Sequence, residues 1–404
     1  MGQALSEIQR TEIQRAEIQR AKALQQPEWP DPAQVQRVRE ILGSRPPLVR
    51  FDDVRTLRSL LASVATGEAL VVQAGDCAED PEECTAEHVR RKTAVLDLLA
   101  STLKMLTGKP VLRVGRLAGQ FAKPRSNNFE QIGELALPVY RGHMVNSPEP
   151  DPESRRPDPL RILTGYMAAG DIVEHLGWRA PALRAWPGIE PLVWTSHEAL
   201  LLDYEVPMIR ELGEATRWLG STHWPWIGER TRQLDGAHVD LLADVENPVA
   251  CKVGPSMTVE EITSLCERLD PLREPGRLTL ISRMGADVVS ERLPCLVAAV
   301  RSAGHPVIWL CDPMHGNTIT APGGKKTRLL TTMAREVQDF CHAVAAGGGI
   351  AGGLHLETTP DDVAECAADA SALGLIGERH TTFCDPRLNS RQAVSLVTAW
   401  ADAL

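Results

Sequence analysis

The chain has 404 residues, of which 43% are hydrophobic and 24% charged, a composition typical of globular proteins and not of fibrous or disordered ones. Its formal net charge of −10 argues against a general nucleic-acid surface, because binding to a phosphate backbone requires clustered positive charge. No apolar run approaches the ~20 residues of a membrane span, and the charged N-terminus does not resemble a secretory signal. We therefore expect a protein that contacts neither nucleic acid nor membrane.

The nine cysteines form no CxxC pair, and an odd number cannot all pair internally. Unpaired cysteines are typical of proteins in a reducing compartment. The cysteine pattern therefore predicts a cytoplasmic protein.

The N-terminal region carries the repeat SEIQR-TEIQR-AEIQR at residues 6–20. A five-residue period fits neither a helix nor a strand, so we interpret the repeat as a poorly anchored tail. Three prolines then precede a helix that is predicted near residues 33–42. We expect residues 1–65 to form an N-terminal extension and residues 66–404 to form the catalytic domain.

Eight short apolar runs follow, and each ends in a polar or charged cluster. The runs are residues 69–79, 110–119, 191–198, 224–230, 248–255, 278–285, 306–315 and 350–357. Helices are predicted between the later runs, over residues 258–269, 287–303, 327–346 and 360–373. Because a parallel crossover needs a helix and eight strands close well, the pattern predicts an α/β fold of the (β/α)8 TIM-barrel class.

An open, doubly wound sheet would show the same alternation of strands and helices. Open sheets concentrate their functional groups at one switch point, whereas barrels carry them at the carboxyl ends of many strands. Here chemically active residues follow every predicted strand, and this favours the barrel.

Four residues at or beyond the strand ends have the donor types of a transition-metal site: Cys77, His315, Glu357 and Asp385. A thiolate, an imidazole and carboxylates suit manganese, cobalt, iron or zinc better than magnesium. Each residue also has a simpler explanation, because a strand-end cysteine is often a buried apolar residue, a histidine can lie in a turn, and a carboxylate can cap a helix. The placement of three of them at strand ends favours the metal site.

Six cations are expected at the same mouth: Arg116, Lys123, Arg125, Arg230, Lys252 and Arg283. Arginine matches phosphate and carboxylate oxygens bidentately, whereas lysine acts as a point charge. Their convergence in an acidic protein predicts a substrate with several negative charges. The alternative is that they pair with nearby acids, as Glu229 beside Arg230 would permit.

Several other segments are interpreted as structural. GGKKTR at residues 323–328 lacks the spacing of a phosphate-binding loop and is interpreted as a solvated helix start. SHEALLLDYE at residues 196–205 is assigned to one helix capped by Ser196, which would not build a catalytic triad. The glycines at 347–349 precede a strand and so form no dinucleotide loop, and His223 is expected in the core or at the rim.

Nine strings, in order along the chain, resemble the type II (plant-like) 3-deoxy-D-arabino-heptulosonate 7-phosphate (DAHP) synthases. They are QAGDCAE, RLAGQFAKPRS, WTSHEALLLDYE, WIGERTR, NPVACKVGPSM, LISRMG, DPMHGNT, GGLHLE and CDPRLN. The resemblance covers residues 35–404. It implies condensation of phosphoenolpyruvate with erythrose 4-phosphate, the first step of the shikimate pathway.

The resemblance also implies roles for the individual residues. The divalent metal, manganese or cobalt, would be held by Cys77, His315, Glu357 and Asp385. The phosphoenolpyruvate pocket would consist of Arg116, Glu229, Arg230, Lys252 and Arg283. The erythrose 4-phosphate end would consist of Lys123, Arg125 and Ser126. The candidate catalytic residues are Lys252, Glu229 and Arg116, and a metal-bound water is a further candidate for proton transfer.

The stretch between Gly119 and the WTSHE string looks shorter than in plant and mycobacterial relatives, where helices carry aromatic effector sites. The compact form resembles members dedicated to phenazine production, so we hypothesise that aromatic amino acids do not inhibit the enzyme. The resemblance further implies a homo-oligomer. The alternatives are another phosphoenolpyruvate–aldose condensing enzyme, an inactive binding or regulatory barrel, and a redox-sensing role for Cys77.

Overall fold

Eight parallel strands close into a barrel in the computed structural model, which describes residues 23–179, 192–213, 216–377 and 379–404. The strands are β1 (Leu70–Gly75), β2 (Val111–Arg116), β3 (Trp194–Glu198), β4 (Trp224–Ile227), β5 (Val249–Val253), β6 (Leu278–Ser282), β7 (Ile308–Cys311) and β8 (Ile350–Glu357). Each strand pairs with its neighbours in chain order, and β8 closes the barrel against β1 from Val71↔Gly353 to Gly75↔Glu357. The predicted barrel is confirmed, and each predicted apolar run contains one strand.

Helices surround the barrel and connect most of its strands. They are α1 (Pro32–Ser44), α2 (Phe51–Ala65), α3 (Ala86–Thr107), α4 (Leu160–His175), α5 (Leu202–Glu205), α6 (Ala237–Ala243), α7 (Val259–Leu269), α8 (Val289–Ser302), α9 (Leu330–Ala346) and α10 (Ser390–Ala401). A capping box fixes the start of α7, where the side chains of Thr258 and Glu261 each accept from the other's backbone N–H. None of the helices in the described part of the chain is long and apolar enough to cross a membrane.

The strands of the barrel wall are buried on both faces, as expected for a parallel sheet covered by helices. Helices attach to the wall through apolar stripes, and α2 for example buries Val54, Leu57, Leu61 and Val64 completely. Each such side chain contributes about 1.5–3 kcal/mol to folding. The barrel is therefore a rigid scaffold whose strand ends hold side chains in fixed positions.

The EIQR repeat lies outside the described residues, but the segment that follows it lies against the loops after β2 and β3. Gln26 anchors this segment, because its Nε2 donates to Leu200 O at 2.8 Å and its Oε1 accepts from Leu202 N at 3.0 Å. Trp29 Nε1 donates to Asp203 Oδ2 at 2.7 Å. The helix predicted near residues 33–42 is α1, which buries Val35, Val38 and Leu42 and packs against α4 and α5.

The predicted helix over residues 360–373 is wrong. This stretch is irregular and ends in a 3-10 helix over Ala370–Leu375. The Glu365 carboxylate accepts from the backbone N–H groups of Thr381, Thr382 and Arg387. These hydrogen bonds hold the stretch against the segment that precedes α10. They take the place of the backbone hydrogen bonds of a helix.

Two further interpretations of single motifs are also wrong. GGKKTR starts no helix, because Ile319–Thr320 and Lys326–Thr327 pair as a short hairpin, with Gly324 at φ +81° in its turn. Ser196 caps no helix, because it lies within β3 and its hydroxyl donates to Trp224 O.

Candidate active site

The carboxyl ends of the strands open into a single cavity of about 550 Å³. Most of the predicted site residues line it: Arg116, Lys123, Arg125, Ser126, Glu229, Arg230, Lys252, Arg283, His315 and Asp385. The two others, Cys77 and Glu357, are almost completely buried beside it. The structure therefore brings the residues of both predicted sets to one mouth.

Three of the four predicted metal ligands converge. One donor atom from each of His315, Glu357 and Asp385 lies within 4.8 Å of the other two. His315 Nδ1 lies 2.7 Å from Asp312 Oδ2, so this ring nitrogen donates to the carboxylate and Nε2 faces the cluster. Histidine ligands of metals are commonly oriented by such a carboxylate. An imidazole and two carboxylates fit a divalent transition metal.

Cys77 lies next to this cluster but outside the group of mutually close donor atoms. Its Sγ is 3.2 Å from Thr382 Oγ1. A hydrogen bond from Cys384 lowers the pKa of the Cys77 thiol to about 6, against the opposing effect of burial. Since the thiolate is the form that binds metals, Cys77 is chemically ready to complete the donor set.

The segment with Asp385 reaches the mouth through buried ion pairs. The Arg387 guanidinium lies between two buried carboxylates, with Nη1 2.8 Å from Asp76 Oδ1 and Nη2 3.0 Å from Glu365 Oε1. Asp76 directly precedes Cys77 in the chain. These pairs fix Asp385 and Cys77 relative to each other, although more than 300 positions separate them in sequence.

Glu357, at the end of β8, is fully buried among cations. Arg328 Nη1 lies 2.9 Å from its Oε2, and Arg116 Nη2 and Lys123 Nζ lie 3.0 and 3.7 Å from its Oε1. Burial alone would raise the pKa of Glu357, but His315 and these cations hold it well below its usual value. The carboxylate is therefore ionised and available to a metal.

Arg328 is a cavity residue that the sequence did not reveal. It follows the hairpin that was interpreted as a helix start, and it is fully buried. Its Nη1 binds Glu357, its Nε donates to Thr318 Oγ1 at 3.0 Å, and its Nη2 has no hydrogen-bond partner in the described part of the chain. The motif offered no signal, because only the conformation of the loop turns this arginine inward.

Lys252, at the end of β5, shares Asp312 with His315. Its Nζ donates to the same Asp312 Oδ2 that orients the imidazole. Burial lowers the pKa of Lys252 to about 8, although Asp312 acts in the opposite direction. Asp312, also missed from the sequence, therefore connects the predicted anion pocket to the predicted metal site.

The outer cations are held by polar contacts at the edge of the cavity. Arg230 Nη2 donates to Ser126 Oγ at 2.8 Å, and Arg125 Nη2 lies 3.3 Å from Glu130 Oε2. Glu229 pairs with Arg232 at 2.9 Å, so its carboxylate is not used by the neighbouring Arg230 as the alternative would have permitted. The guanidinium of Arg230 therefore lies at the edge of the cavity.

Arg283 and Glu198 also line the cavity. Arg283 Nη2 donates to His315 O at 3.0 Å. Glu198, at the end of β3, is buried, and its Oε1 has no hydrogen-bond partner among the described residues. Burial raises the pKa of Glu198, although Lys123 and Lys252 oppose this. A Cβ on Gly228 would lie 2.0 Å from Glu198 Oε1, so only glycine leaves room for this carboxyl group.

Comparisons with known proteins identify the family of the chain. The model of the class-II DAHP synthetase family matches residues 13–182 and 189–401. A probable phospho-2-dehydro-3-deoxyheptonate aldolase of Pseudomonas fluorescens is 58% identical over 383 residues, which cover 94% of each chain. The phospho-2-dehydro-3-deoxyheptonate aldolase of Streptomyces coelicolor is 39% identical over 93% of each chain.

A solved structure supports the fold. The phospho-2-dehydro-3-deoxyheptonate aldolase of Francisella tularensis superposes with a TM-score of 0.56 over 90% of this chain and 95% of that one. At 16% identity, this similarity concerns the fold alone.

Proposed function

The chain belongs to the class-II DAHP synthetase family and is a 3-deoxy-7-phosphoheptulonate synthase, and on this premise we propose how its mouth performs the reaction. The substrates are phosphoenolpyruvate and erythrose 4-phosphate. The observation that carries the proposal is that one cavity is lined both by the cluster of potential metal ligands and by the convergent cations.

Phosphoenolpyruvate is assigned to the inner side of the cavity. Arg116 uses three of its N–H donors on Asp76 O, His355 Nε2 and Glu357 Oε1. The remaining donors of this cavity-lining guanidinium suit one anionic group of the substrate. Lys252, Arg283 and Arg230 supply further positive charge for a molecule that carries both a carboxylate and a phosphate. Glu229 lies at the same side and would accept hydrogen bonds from water.

Erythrose 4-phosphate is assigned to the side of Lys123, Arg125 and Ser126. Lys123 Nζ lies 3.7 Å from both Glu357 Oε1 and Asp385 Oδ2, so it is next to the potential metal ligands. Arg125 and Ser126 lie nearer to solvent. This order suits a substrate whose aldehyde points to the metal cluster and whose phosphate stays at the rim.

His315, Glu357 and Asp385, with the neighbouring Cys77, would hold a divalent metal, for which we propose Mn²⁺ or Co²⁺. When bound, such an ion supplies Lewis-acid polarisation of the aldehyde. The cations of this chain hold the two anions so that carbon 3 of phosphoenolpyruvate faces the aldehyde carbon. Fixed orientation of two reactants can lower a barrier by ~7–11 kcal/mol.

The chemical steps balance as follows. Carbon 3 of phosphoenolpyruvate forms a bond to the aldehyde carbon, and the aldehyde oxygen takes up a proton. The attack uses the electron pair of the carbon 2–carbon 3 double bond, and water then adds to carbon 2 and loses a proton. The resulting hemiketal phosphate breaks its bond between carbon 2 and the phosphate oxygen, so inorganic phosphate leaves and a ketone forms. Lys252, whose pKa is about 8, and Glu229 are the groups of this chain that we propose for proton transfer.

We test the proposal by following the ultraviolet absorbance of phosphoenolpyruvate in the presence of erythrose 4-phosphate. Turnover is expected to require both substrates, to stop after chelation and to return with Mn²⁺ or Co²⁺. His315→Ala is expected to abolish turnover and tight metal binding. His342→Ala, which changes an exposed histidine of α9, is the matched control and should retain both. Inactivity of the wild type with every metal would refute the proposal.

We further propose that the enzyme supplies secondary metabolism, namely phenazine formation, without inhibition by aromatic amino acids. The support is the compact stretch between β2 and β3 and the resemblance noted above. Activity should persist at saturating tryptophan, phenylalanine and tyrosine, and strong inhibition by any of them would contradict this part. A cytoplasmic homo-oligomer remains our expectation, and light scattering of the purified protein would test the oligomeric state.

A further inference from the structure

A chain of polar side chains crosses the interior of the barrel beneath the cavity. Arg116 Nη1 lies 2.6 Å from His355 Nε2, and His355 Nδ1 lies 2.6 Å from Gln73 Oε1. Gln73 Nε2 donates to Ser196 Oγ at 2.7 Å, and the Ser196 hydroxyl donates to Trp224 O. The histidine, glutamine and serine are completely buried, on β8, β1 and β3.

The direction of each hydrogen bond in this network follows from its last acceptor, Trp224 O. Trp224 O is a backbone carbonyl that can only accept, so the Ser196 hydroxyl must donate to it and accept from Gln73. The Gln73 amide then presents its oxygen to His355, and the Nδ1 of His355 must carry the proton. Its Nε2 is left as an acceptor, and this is the atom that faces the Arg116 guanidinium.

Rearranging this network of hydrogen bonds would cost free energy. If His355 Nε2 carried a proton, this N–H would face the N–H of Arg116 Nη1. Two donors would then meet at the shortest contact of the guanidinium. A flipped Gln73 amide would place its NH2 group against the Nδ1 proton of His355 and its oxygen against the Ser196 oxygen, so neither contact would be a hydrogen bond. Unsatisfied polar groups in such a buried position are expensive, so one arrangement dominates. The ring of Trp226 packs against both partners, with its centroid 5.2 Å from Arg116 Cζ and 5.2 Å from the His355 ring.

We propose that His355 is a positioning residue that fixes the orientation of Arg116, and that Gln73 and Ser196 set the tautomer that allows it to do so. The proposal rests on the assignment of Arg116 to phosphoenolpyruvate. Asp76 O and Glu357 Oε1 fix two other nitrogens of the same guanidinium. With the third held by His355, the plane of the guanidinium is fully determined before the substrate arrives, as pre-organised anion recognition requires.

Variants of His355 separate positioning from folding. In His355→Asn the amide can replace Nδ1 but not Nε2, so Arg116 loses its acceptor. We expect the KM for phosphoenolpyruvate to rise about tenfold or more, with the KM for erythrose 4-phosphate unchanged. In His355→Gln the longer side chain can present an oxygen near the position of Nε2, and the KM should return towards the wild-type value.

The matched control is His223, another fully buried histidine, whose Nδ1 lies 2.8 Å from Thr195 Oγ1 at the opposite end of the barrel. His223→Asn should lower the melting temperature without changing the KM for phosphoenolpyruvate. If both asparagine variants lower the melting temperature and neither changes this KM, His355 is only structural and the proposal is overturned.

A spectroscopic measurement on the wild type decides the tautomer even if the variants fold poorly. In protein labelled with ¹⁵N-histidine, the His355 signals should show a protonated Nδ1 and an unprotonated Nε2. Gln73→Glu keeps an acceptor opposite His355 and should preserve this pattern, whereas Gln73→Leu should remove it. A wild-type His355 protonated at Nε2 would overturn the proposal. An inactive wild type with the expected tautomer would instead refute the assigned function and leave the geometry standing.

Discussion

The floor of the mouth and its rim both present cations to the cavity, but they constrain them differently. The floor consists of side chains that are at least nine-tenths buried: Arg116, Lys123, Arg328, His355 and Glu357. The rim consists of side chains that reach solvent: Arg125, Ser126, Arg230 and Lys326. Floor cations are held by buried carboxylates and carbonyls, whereas rim cations rest on one or two exposed polar contacts.

The buried floor and the exposed rim suit two different requirements of the reaction. A bond between two substrates forms only if the reacting atoms are held within a fraction of an ångström, and the buried floor meets this requirement in advance. A terminal phosphate needs charge but less precise geometry, and flexible rim side chains supply it. Substitutions of the potential metal ligands in the floor should therefore lower kcat or metal binding, whereas substitutions at the rim should mainly raise KM.

The largest effect is expected for Glu357→Gln. The amide removes a potential metal ligand and leaves Arg116, Arg328 and Lys123 without their shared counter-charge. Breaking a buried ion pair from one side costs about 3–5 kcal/mol, so urea denaturation should show a clear loss of unfolding free energy, together with a loss of activity. Asp362→Asn changes an exposed carboxylate that pairs with Arg379 and should alter neither. Normal metal content in Glu357→Gln would contradict the proposed ligand set.

Asp312→Asn is expected to have the next largest effect. The carboxylate orients His315 and binds Lys252, so its loss should weaken metal affinity by about 10- to 100-fold. Titration of the metal-free protein with Mn²⁺, followed by calorimetry, measures this change. The control is Asp235→Asn, an exposed position beyond β4. Unchanged affinity in Asp312→Asn would show that Asp312 does not support the metal site.

A pH profile tests Lys252, a buried cation at the end of β5. Its pKa is lowered to about 8 by burial, so the amine loses its charge as the pH rises through that value. If the charged form binds phosphoenolpyruvate, kcat/KM should fall above pH 8 by up to about tenfold per pH unit. Asp312 raises this pKa, so in Asp312→Asn the decline should begin at a lower pH. An alkaline limb at the same pH in both proteins would exclude Lys252 as its source.

The barrel and much of its floor could be predicted because their signals are local in sequence. Each strand is a short apolar run, and the residues at its carboxyl end must lie at the mouth; this located Arg116, Lys252 and Glu357. Asp312 directly follows β7 and obeys the same strand-end rule, but His315 was singled out after this strand instead. Arg328 was missed because its inward position depends on a loop conformation. The same physics explains the wrong helix over residues 360–373, where one carboxylate, Glu365, redirects the backbone towards a distant segment.

Ser196 illustrates the opposite error. The apolar run that follows it suggested a helix, and a serine before such a run is a common cap. In the structure it lies in the barrel wall, where a hydroxyl is tolerated only because a buried carbonyl and amide satisfy it. The sequence contains no local sign of those partners, which belong to β4 and β1.

The smallest effect is expected where the segment before α1 meets the rim. Gln25 Oε1 accepts from the backbone N–H of Arg125 at 2.8 Å, and the adjacent Gln26 anchors the segment to the loop after β3. Because the contact supports the position of the loop and not the chemistry, Gln25→Ala should raise the KM for erythrose 4-phosphate by a few-fold, equivalent to about 1 kcal/mol. Steady-state kinetics with each substrate varied in turn measures this split. Gln36→Ala, in the exposed face of α1, should change neither constant. A Gln25→Ala variant that loses kcat instead would show that this segment acts on the floor, and the division between floor and rim would then have to be redrawn.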